Sequence, residues 1–154
     1  MEIMKKIIFL GMLLLVSGCT ITQDVKPVDS SVNIQKIYVE NNEAVLMKET
    51  VNEIVSQLQA MGFESESYTS GQRPDDAKHY IIYTGNWQWD IAMYLTYFTA
   101  ELYENESSIG SVSYDARGGS GRSDKFGKTA DKIRPLLNEL LSQVKKPNST
   151  TQLP

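Results

Sequence analysis

The stretch from Lys78 to Ala116 constrains the fold more than any other part of the sequence. It contains no proline, and it holds both tryptophans and six of the eight tyrosines of the chain. Apolar or aromatic side chains recur at alternate positions through most of it: His79, Ile81, Tyr83, Trp87, Trp89, Ile91, Met93, Leu95 and Tyr97. This alternation is typical of β-strands that bury one face. The stretch therefore predicts a sheet.

We expect three strands here, at residues 79–88, 93–104 and 108–115; a single long strand with a bulge is the alternative to the first two. The apolar side chains change parity near Tyr97 and Phe98, which favours a bulge at that point. Trp87 and Trp89 lie two residues apart and should therefore share one face. Both are expected to be buried under the helices.

The flanking sequence predicts an α+β fold with a single antiparallel or mixed sheet. Residues 33–40 should form a first strand, 63–69 an edge strand and 70–78 a loop. A first helix is expected from an N-cap at 41–43 to a C-cap at Gly62. A second helix should run from Ser123 to about Val144, with a kink or restart at Pro135. The predicted order is β-α-β-β-β-β-α, with two helices packed on one face.

Residues 1–18 have the layout of a secretory signal peptide. Lys5 and Lys6 precede an apolar run, and small residues follow it. A membrane-spanning anchor is the alternative, but the run is too short to cross a bilayer, which takes roughly 20 residues. We assign residues 19–32 to an anchor cysteine and a flexible tether, 33–145 to one α+β domain, and 146–154 to a disordered tail.

The residues Val16, Ser17, Gly18 and Cys19 resemble the lipobox of bacterial lipoproteins. Cys19 is the single cysteine of the chain, so it cannot form an intramolecular disulfide, although a free thiol remains the alternative. The resemblance implies cleavage between Gly18 and Cys19 and acylation of Cys19. It also implies a lipid-anchored protein of the outer membrane that faces the periplasm, because Thr20 stands where inner-membrane lipoproteins usually carry aspartate.

Three polar features of the sequence are candidate chemical sites. Gly127, Lys128 and Thr129 resemble the end of a phosphate-binding loop, but Arg122 stands where the motif needs glycine, and Gly127 is expected inside the second helix. His79, the only histidine, is interpreted as a strand residue at the sheet margin. Asp90 is expected to cap a turn and stay solvated, although burial would mark it as a functional candidate.

Tyr80, Ile82 and Tyr94 have the opposite parity from the predicted core positions. If the helices cover one face of the sheet, these side chains should lie partly exposed on the other face. They form a candidate partner surface, and ordinary surface residues are the alternative. The net charge of −4 makes nucleic acid an improbable partner, because an acidic surface repels phosphates.

The segment Tyr83–Gly119 resembles a family of small proteobacterial lipoproteins (Sbal_3080-type). The residues that carry the resemblance are Thr84, Trp87, Trp89, Asp90, Ala92, Met93, Tyr94, Leu95, Ile109, Gly110, Tyr114, Asp115, Ala116, Gly118 and Gly119, followed by Lys125, Phe126 and Gly127. The resemblance supports an envelope location and this fold. It implies no catalytic residues and no cofactor.

The favoured hypothesis is a non-enzymatic, membrane-anchored envelope lipoprotein whose sheet domain binds another envelope component. The alternative is a small-ligand or lipid carrier of the periplasm, with a cleft between the helices and the sheet. An enzyme that depends on Asp90 and His79 is the third hypothesis. No metal or other cofactor is expected.

Overall fold

Six strands form one mixed sheet, and two helices pack against it in the computed structural model, which describes residues 21–118 and 121–146. The elements are β1 (Thr22–Lys26), β2 (Lys36–Asn41), α1 (Thr50–Ala60), β3 (Glu64–Thr69), β4 (His79–Trp89), β5 (Met93–Glu104), β6 (Ser107–Asp115), a 3₁₀ turn (Ser123–Lys125) and α2 (Thr129–Leu140). The strand order across the sheet is β1-β6-β5-β4-β2-β3. The predicted α+β class is confirmed.

The sheet has an antiparallel half and a parallel half. β4, β5 and β6 form successive hairpins, and β1 adds to β6 in the antiparallel direction. β2 pairs in parallel with β3 on one side and with β4 on the other. Because parallel neighbours need a crossover, α1 connects β2 to β3. The predicted edge position of the strand after α1 is confirmed, since β3 ends the sheet.

The main core lies between the sheet and the two helices. Side chains that point inward from the sheet, such as Ile81, Phe98 and Leu102, are fully buried there. Leu58 of α1 and Leu137 of α2 meet them from the other side and are also fully buried. These side chains fill the layer between the helices and the sheet, where the carrier hypothesis places a ligand-binding cleft. The carrier hypothesis itself stays a prediction.

Trp87 and Trp89 have different environments, so the prediction that both are buried is wrong for Trp89. Trp87 is 8% exposed, and its Nε1 donates a hydrogen bond of 3.0 Å to the Thr129 hydroxyl at the start of α2. Trp89 is 72% exposed. The alternation holds along β4, but the strand continues past the part of the sheet that α2 covers.

The predicted bulge is confirmed, one residue before Tyr97. Asn86 pairs with Tyr97 and Trp87 pairs with Leu95, which leaves Thr96 as the extra residue of β5. The Thr96 hydroxyl donates to the Asn86 carbonyl at 3.0 Å. The Thr96 carbonyl accepts from the Ala116 amide at 2.8 Å. Both the hydroxyl and the carbonyl of the bulged residue therefore have hydrogen-bond partners.

The first helix begins later than predicted and ends as predicted. The Asn42 side chain donates 2.9 Å to the Tyr83 carbonyl and accepts 3.0 Å from the Ala44 amide, so it stabilises a turn and does not cap a helix. α1 starts at Thr50. At the other end Gly62 has a φ of 98°, and the Phe63 amide donates to the Leu58 carbonyl at 3.1 Å. This is the expected glycine C-cap.

The second helix is interrupted near Gly127, and it does not restart at Pro135. Gly127 has a φ of 126°, which separates the 3₁₀ turn from α2. α2 then continues through Pro135 to Leu140. The expectation that Gly127 lies inside the helix is therefore wrong. Arg122 still occupies the position where a phosphate-binding loop needs glycine.

Part of the predicted tether is folded. β1 pairs with β6 through all five of its residues. Val28 is fully buried, and its amide donates 2.9 Å to the Leu140 carbonyl at the end of α2. The tether prediction for residues 19–32 is therefore wrong from β1 onward, and the strand order gains a strand at its beginning. No helix within the described ranges is long and apolar enough to cross a membrane.

Candidate binding surface

A second, smaller cluster of buried side chains lies apart from the main core. It consists of Tyr38, Tyr68, Ala77 and Tyr80, with Tyr103 packed against it. Tyr38 of β2 pairs directly with Tyr80 of β4, and Tyr80 pairs with Tyr103 of β5. Their neighbours in the same strands, such as Val39 and Ile81, belong to the main core. Because side chains alternate along strands, the tyrosines lie on the helix-free face of the sheet.

The loop of residues 70–78 covers these tyrosines because of the strand topology. β3 and β4 run in the same direction on opposite sides of β2, so the chain must travel back across β2 between them. The Tyr38 hydroxyl donates 2.8 Å to an Asp76 carboxylate oxygen. The Arg73 guanidinium lies 4.3 Å from the centroid of the Tyr80 ring, a cation–π geometry. The loop is thereby held against the sheet.

Tyr80 and Tyr103 form a parallel stack, with ring centroids 5.1 Å apart and an interplanar angle of 6°. The Tyr103 hydroxyl donates 2.8 Å to a carboxylate oxygen of Glu101, and this hydrogen bond is the main cause that raises the pKa of Tyr103. Arg73 lies over the Tyr80 ring of this stack, and its guanidinium also forms a salt bridge with Glu106. The hydrogen bond to the Glu106 carboxylate is the main cause that raises the pKa of Arg73.

An open polar cleft of about 540 Å³ lies between this loop and the sheet. Its lining includes Tyr68, Arg73 and three acidic residues, Glu40, Asp75 and Glu106. The Tyr68 hydroxyl donates 3.0 Å to Glu40. Burial, followed by that hydrogen bond, raises the pKa of Tyr68. The cleft thus offers aromatic surface, one guanidinium and several carboxylates, which suits a polar partner better than an apolar ligand.

A second depression of about 250 Å³ lies on the sheet, lined by Asn42, Ile82, Tyr83, Thr84, Thr99, Glu101 and Tyr103. Ile82 is 39% exposed there. Because Tyr103 also packs on the tyrosine cluster, the depression lies close to the loop-covered part of the face. We call the two depressions and the tyrosine cluster together the helix-free surface.

The structure separates the three residues predicted as one partner surface. Ile82 is exposed as expected. Tyr80 is 3% exposed under Arg73, and Tyr94 is 8% exposed. Tyr94 packs edge-on against Phe126 at 5.4 Å, with the Lys125 ammonium 4.8 Å from its ring. The prediction of partial exposure is wrong for both tyrosines, because long side chains from other segments cover them.

His79 and Asp90 lie at opposite ends of β4 and cannot act together. His79 is 5% exposed, and its Nε2 is 3.3 Å from a Glu104 carboxylate oxygen, without the geometry of a hydrogen bond. Burial lowers the pKa of His79, and the Glu104 charge opposes that effect. Its expected place at the sheet margin is confirmed, since it is the first residue of β4.

The side chain of Asp90 is half exposed, as expected, but it forms a salt bridge. It accepts a 2.8 Å hydrogen bond from the ammonium of Lys125, which is itself buried. The Asp90 carboxylate raises the pKa of Lys125. Across residues 21–118 and 121–146, no group of three or more histidine, cysteine or acidic side chains is arranged to hold a metal ion. Gly18 and Cys19 lie outside the described residues.

Sequence reasoning missed Arg73 and Tyr103 as parts of this surface. Residues 70–78 have the composition of an ordinary polar loop. Tyr103 lies on the face opposite Leu102, and no sequence pattern marks it as part of a site. No sequence pattern reveals that residues 70–78 connect two strands that run parallel on either side of β2. Such a connection has to cross the neighbouring strand.

No model of a known protein family matches this chain, and no curated protein sequence matches it. The fold is similar to that of PelC from a dodecamer of Paraburkholderia phytofirmans, with a TM-score of 0.52 and 12% sequence identity. The alignment covers 80% of this chain and 96% of PelC. A substituted PelC dodecamer from the same organism aligns over the same shares with a TM-score of 0.49 and 12% identity. At this identity the likeness concerns the fold alone.

Proposed function

We propose that the chain is a non-enzymatic lipoprotein of the bacterial envelope, anchored to the outer membrane through Cys19 and facing the periplasm. In this proposal its sheet domain binds another envelope component through the helix-free surface. The lipobox-like residues before Cys19 support the anchor. The folded segment that starts at Thr22 begins only three residues after Cys19, so the domain stays close to the lipid.

The observation that carries the binding proposal is the open cleft beside a stacked tyrosine pair with Arg73 on top. Tyrosine and arginine are enriched among the residues that dominate binding energy at protein interfaces. The surface also has a partly exposed apolar side chain, Ile82, in the depression that is lined by the carboxylate of Glu101. An apolar centre with charged surroundings is the usual anatomy of such an interface.

A photo-crosslinking amino acid at Ile82 tests the binding proposal in intact cells. The matched control places the same group at Glu139, which is exposed on α2, away from the helix-free surface. We expect a defined crosslinked product from position 82 and none from position 139. Equal yields of crosslinked product at both positions, or no product at position 82, would contradict the proposal that the helix-free surface binds a partner.

Identification of the crosslinked product by mass spectrometry distinguishes a different envelope component from a second copy of this chain. The PelC structures of similar fold are dodecamers, so self-association has to be distinguished explicitly. A product that contains two copies of this chain and nothing else would contradict the proposal of a different component. Introducing Arg73→Ala into the crosslinking protein should reduce the yield, because it uncovers the Tyr80 ring and removes the guanidinium from the cleft.

The anchor is tested separately by the intact mass of membrane-extracted protein. We expect a mature chain that begins at Cys19 and carries acyl groups. The Cys19→Ser variant should stay uncleaved or leave the membrane fraction. A mature protein that begins elsewhere, or that has no acyl mass, would defeat the lipoprotein assignment.

A further inference from the structure

The turn between β4 and β5 carries an unusual concentration of exposed apolar side chains. Trp89 is 72% exposed, Ile91 is 83% exposed and Met93 is 38% exposed. Together with Leu46 and Ile82 they are the exposed large hydrophobic residues of the described chain. We call residues 89–93 the hairpin tip. Three apolar side chains on a single turn form a local patch of the kind that marks an interaction site.

The hairpin tip extends beyond the end of the sheet. Asp115, the last residue of β6, pairs with Tyr97 of β5, which pairs with Asn86 of β4. β4 continues three residues past this row to Trp89, and β5 begins before it at Met93. At about 3.3 Å per residue, the tip extends roughly 10 Å past β6. Trp87 is still covered through its contact with Thr129, but Trp89 is not.

The first residue of β1 lies at this same end of the sheet. Thr22 pairs with Asp115, the β6 residue in the row just described. Cys19 precedes Thr22 by three residues, which can span at most about 10 Å. The point where the chain enters the sheet from Cys19 and the exposed hairpin tip are therefore on the same side of the domain.

The charges at the tip are balanced. Asp90, the acidic residue between Trp89 and Ile91, is paired with the Lys125 ammonium at 2.8 Å. A balanced ion pair beside tryptophan, isoleucine and methionine favours contact with a lipid surface, because no excess negative charge opposes approach to anionic headgroups. Tryptophan is also the side chain that favours the boundary between lipid and water, with its indole N–H in the polar layer.

We infer that the hairpin tip inserts into the surface of the bilayer to which Cys19 is attached. This inference rests on the proposed lipid anchor. Cys19 and the hairpin tip then attach the same end of the sheet to the membrane. They hold the strands roughly perpendicular to the membrane and prevent the domain from rotating about Cys19. The cleft beside Arg73 lies near the far end of β4, roughly 30 Å along the strand at about 3.3 Å per residue. It therefore faces away from the lipid.

Quenching of tryptophan fluorescence by brominated lipid chains tests the insertion. The acylated full-length protein is reconstituted into phosphatidylethanolamine and phosphatidylglycerol vesicles with and without bromine on the acyl chains. The matched variant is Trp89→Ser, which leaves Trp87 as the only tryptophan and changes an exposed side chain. We expect the brominated chains to quench the wild-type protein and to leave the Trp89→Ser variant unchanged.

The outcomes separate this inference from the proposed function. If the protein is acylated but Trp89 is not quenched, the insertion is contradicted and the lipoprotein proposal is retained. Trp89 emission that shifts to the blue without quenching, together with crosslinks between copies of the chain, overturns it in favour of self-association through the tip. A protein without acyl mass that is still quenched overturns the anchor and, with it, the attachment at two points, and leaves only the contact of Trp89 with lipid. A protein with neither acyl mass nor quenching overturns both.

Discussion

The indole ring of Trp87 lies directly over Gly85, two residues earlier on the same face of β4. A Cβ atom at Gly85 would be 2.7 Å from Cη2 and 2.9 Å from Cζ3 of that ring. These distances are shorter than any comfortable carbon–carbon contact. The glycine therefore provides the space in which the ring packs on the strand and reaches Thr129 with its Nε1.

Replacement Gly85→Ala should destabilise the domain by about 1–3 kcal/mol, because the added methyl group forces the buried indole out of its position. The neighbouring exposed change Thr84→Ala serves as the control, with an expected effect within about 0.5 kcal/mol. Chemical denaturation measures both. In a Trp87→Phe background, which lacks the two clashing atoms, the Gly85→Ala penalty should shrink. An unchanged penalty there would show that the ring is not its cause.

The two tryptophans should respond oppositely to truncation. Trp87→Ala should lower the free energy of unfolding by about 3–5 kcal/mol, because it removes a buried aromatic side chain. Trp89→Ala should change it by no more than about 0.5 kcal/mol, since the side chain is mostly exposed. Urea denaturation of the two variants side by side is the measurement. Similar losses in both would contradict the burial difference.

The stability of the domain should fall in mildly acidic solution because of His79. In the unfolded chain histidine titrates near pH 6.5, and burial places the pKa of folded His79 below that value. Between the two values the unfolded chain binds more protons, so the free energy of unfolding decreases as the pH falls through this window. Above it the contribution is constant. The His79→Gln variant should lose this part of the pH dependence, and an identical slope in the variant would exclude His79 as its source.

The β1 amides that face β6, and the Val28 amide, should be protected from hydrogen exchange. The former bond to β6, and the Val28 amide donates to the Leu140 carbonyl of α2. The other β1 amides point away from the sheet because β1 is an edge strand. Gly110→Ala should weaken this protection. A Cβ at Gly110 would be 2.8 Å from Val28 Cγ2, 2.8 Å from Leu140 Cδ1 and 3.0 Å from the Lys26 carbonyl oxygen. The exposed change Ser108→Ala in the same strand is the control. Exchange of the β1 amides that face β6 at the rate of an unstructured peptide in the unsubstituted protein would contradict the assignment of β1.

The sequence predicted the elements whose stability comes from side chains. β4 and β5 were located within one residue because most of their inward positions are apolar or aromatic and are buried. Gly62 was recognised because a left-handed C-cap favours glycine. Alternation alone, however, does not show where helices stop covering a strand, so Trp89 was placed in the core.

The missed features depend on backbone pairing and topology. β1 contains one apolar residue, Val25, and is held by hydrogen bonds to β6, which leave no pattern in its sequence. The helix-free surface depends on β2, β3 and β4 being parallel, since only then must residues 70–78 return across the sheet. Pairing direction is not encoded in the alternation. Arg73 could therefore not be placed over Tyr80 from the sequence.

The pairing of β1 with β6 also predicts the order in which the strands join the sheet during folding. Thr22 pairs with Asp115, and most of the sequence of the domain lies between these two residues. Closing so long a loop is entropically unfavourable until the intervening strands have paired. The segment nearest the N-terminal end of the described domain is thus the last to join the sheet. We expect substitutions in β1 to accelerate unfolding while the refolding rate hardly changes, as measured by stopped-flow mixing over a range of denaturant concentrations. Slower refolding would show that the edge strand joins early.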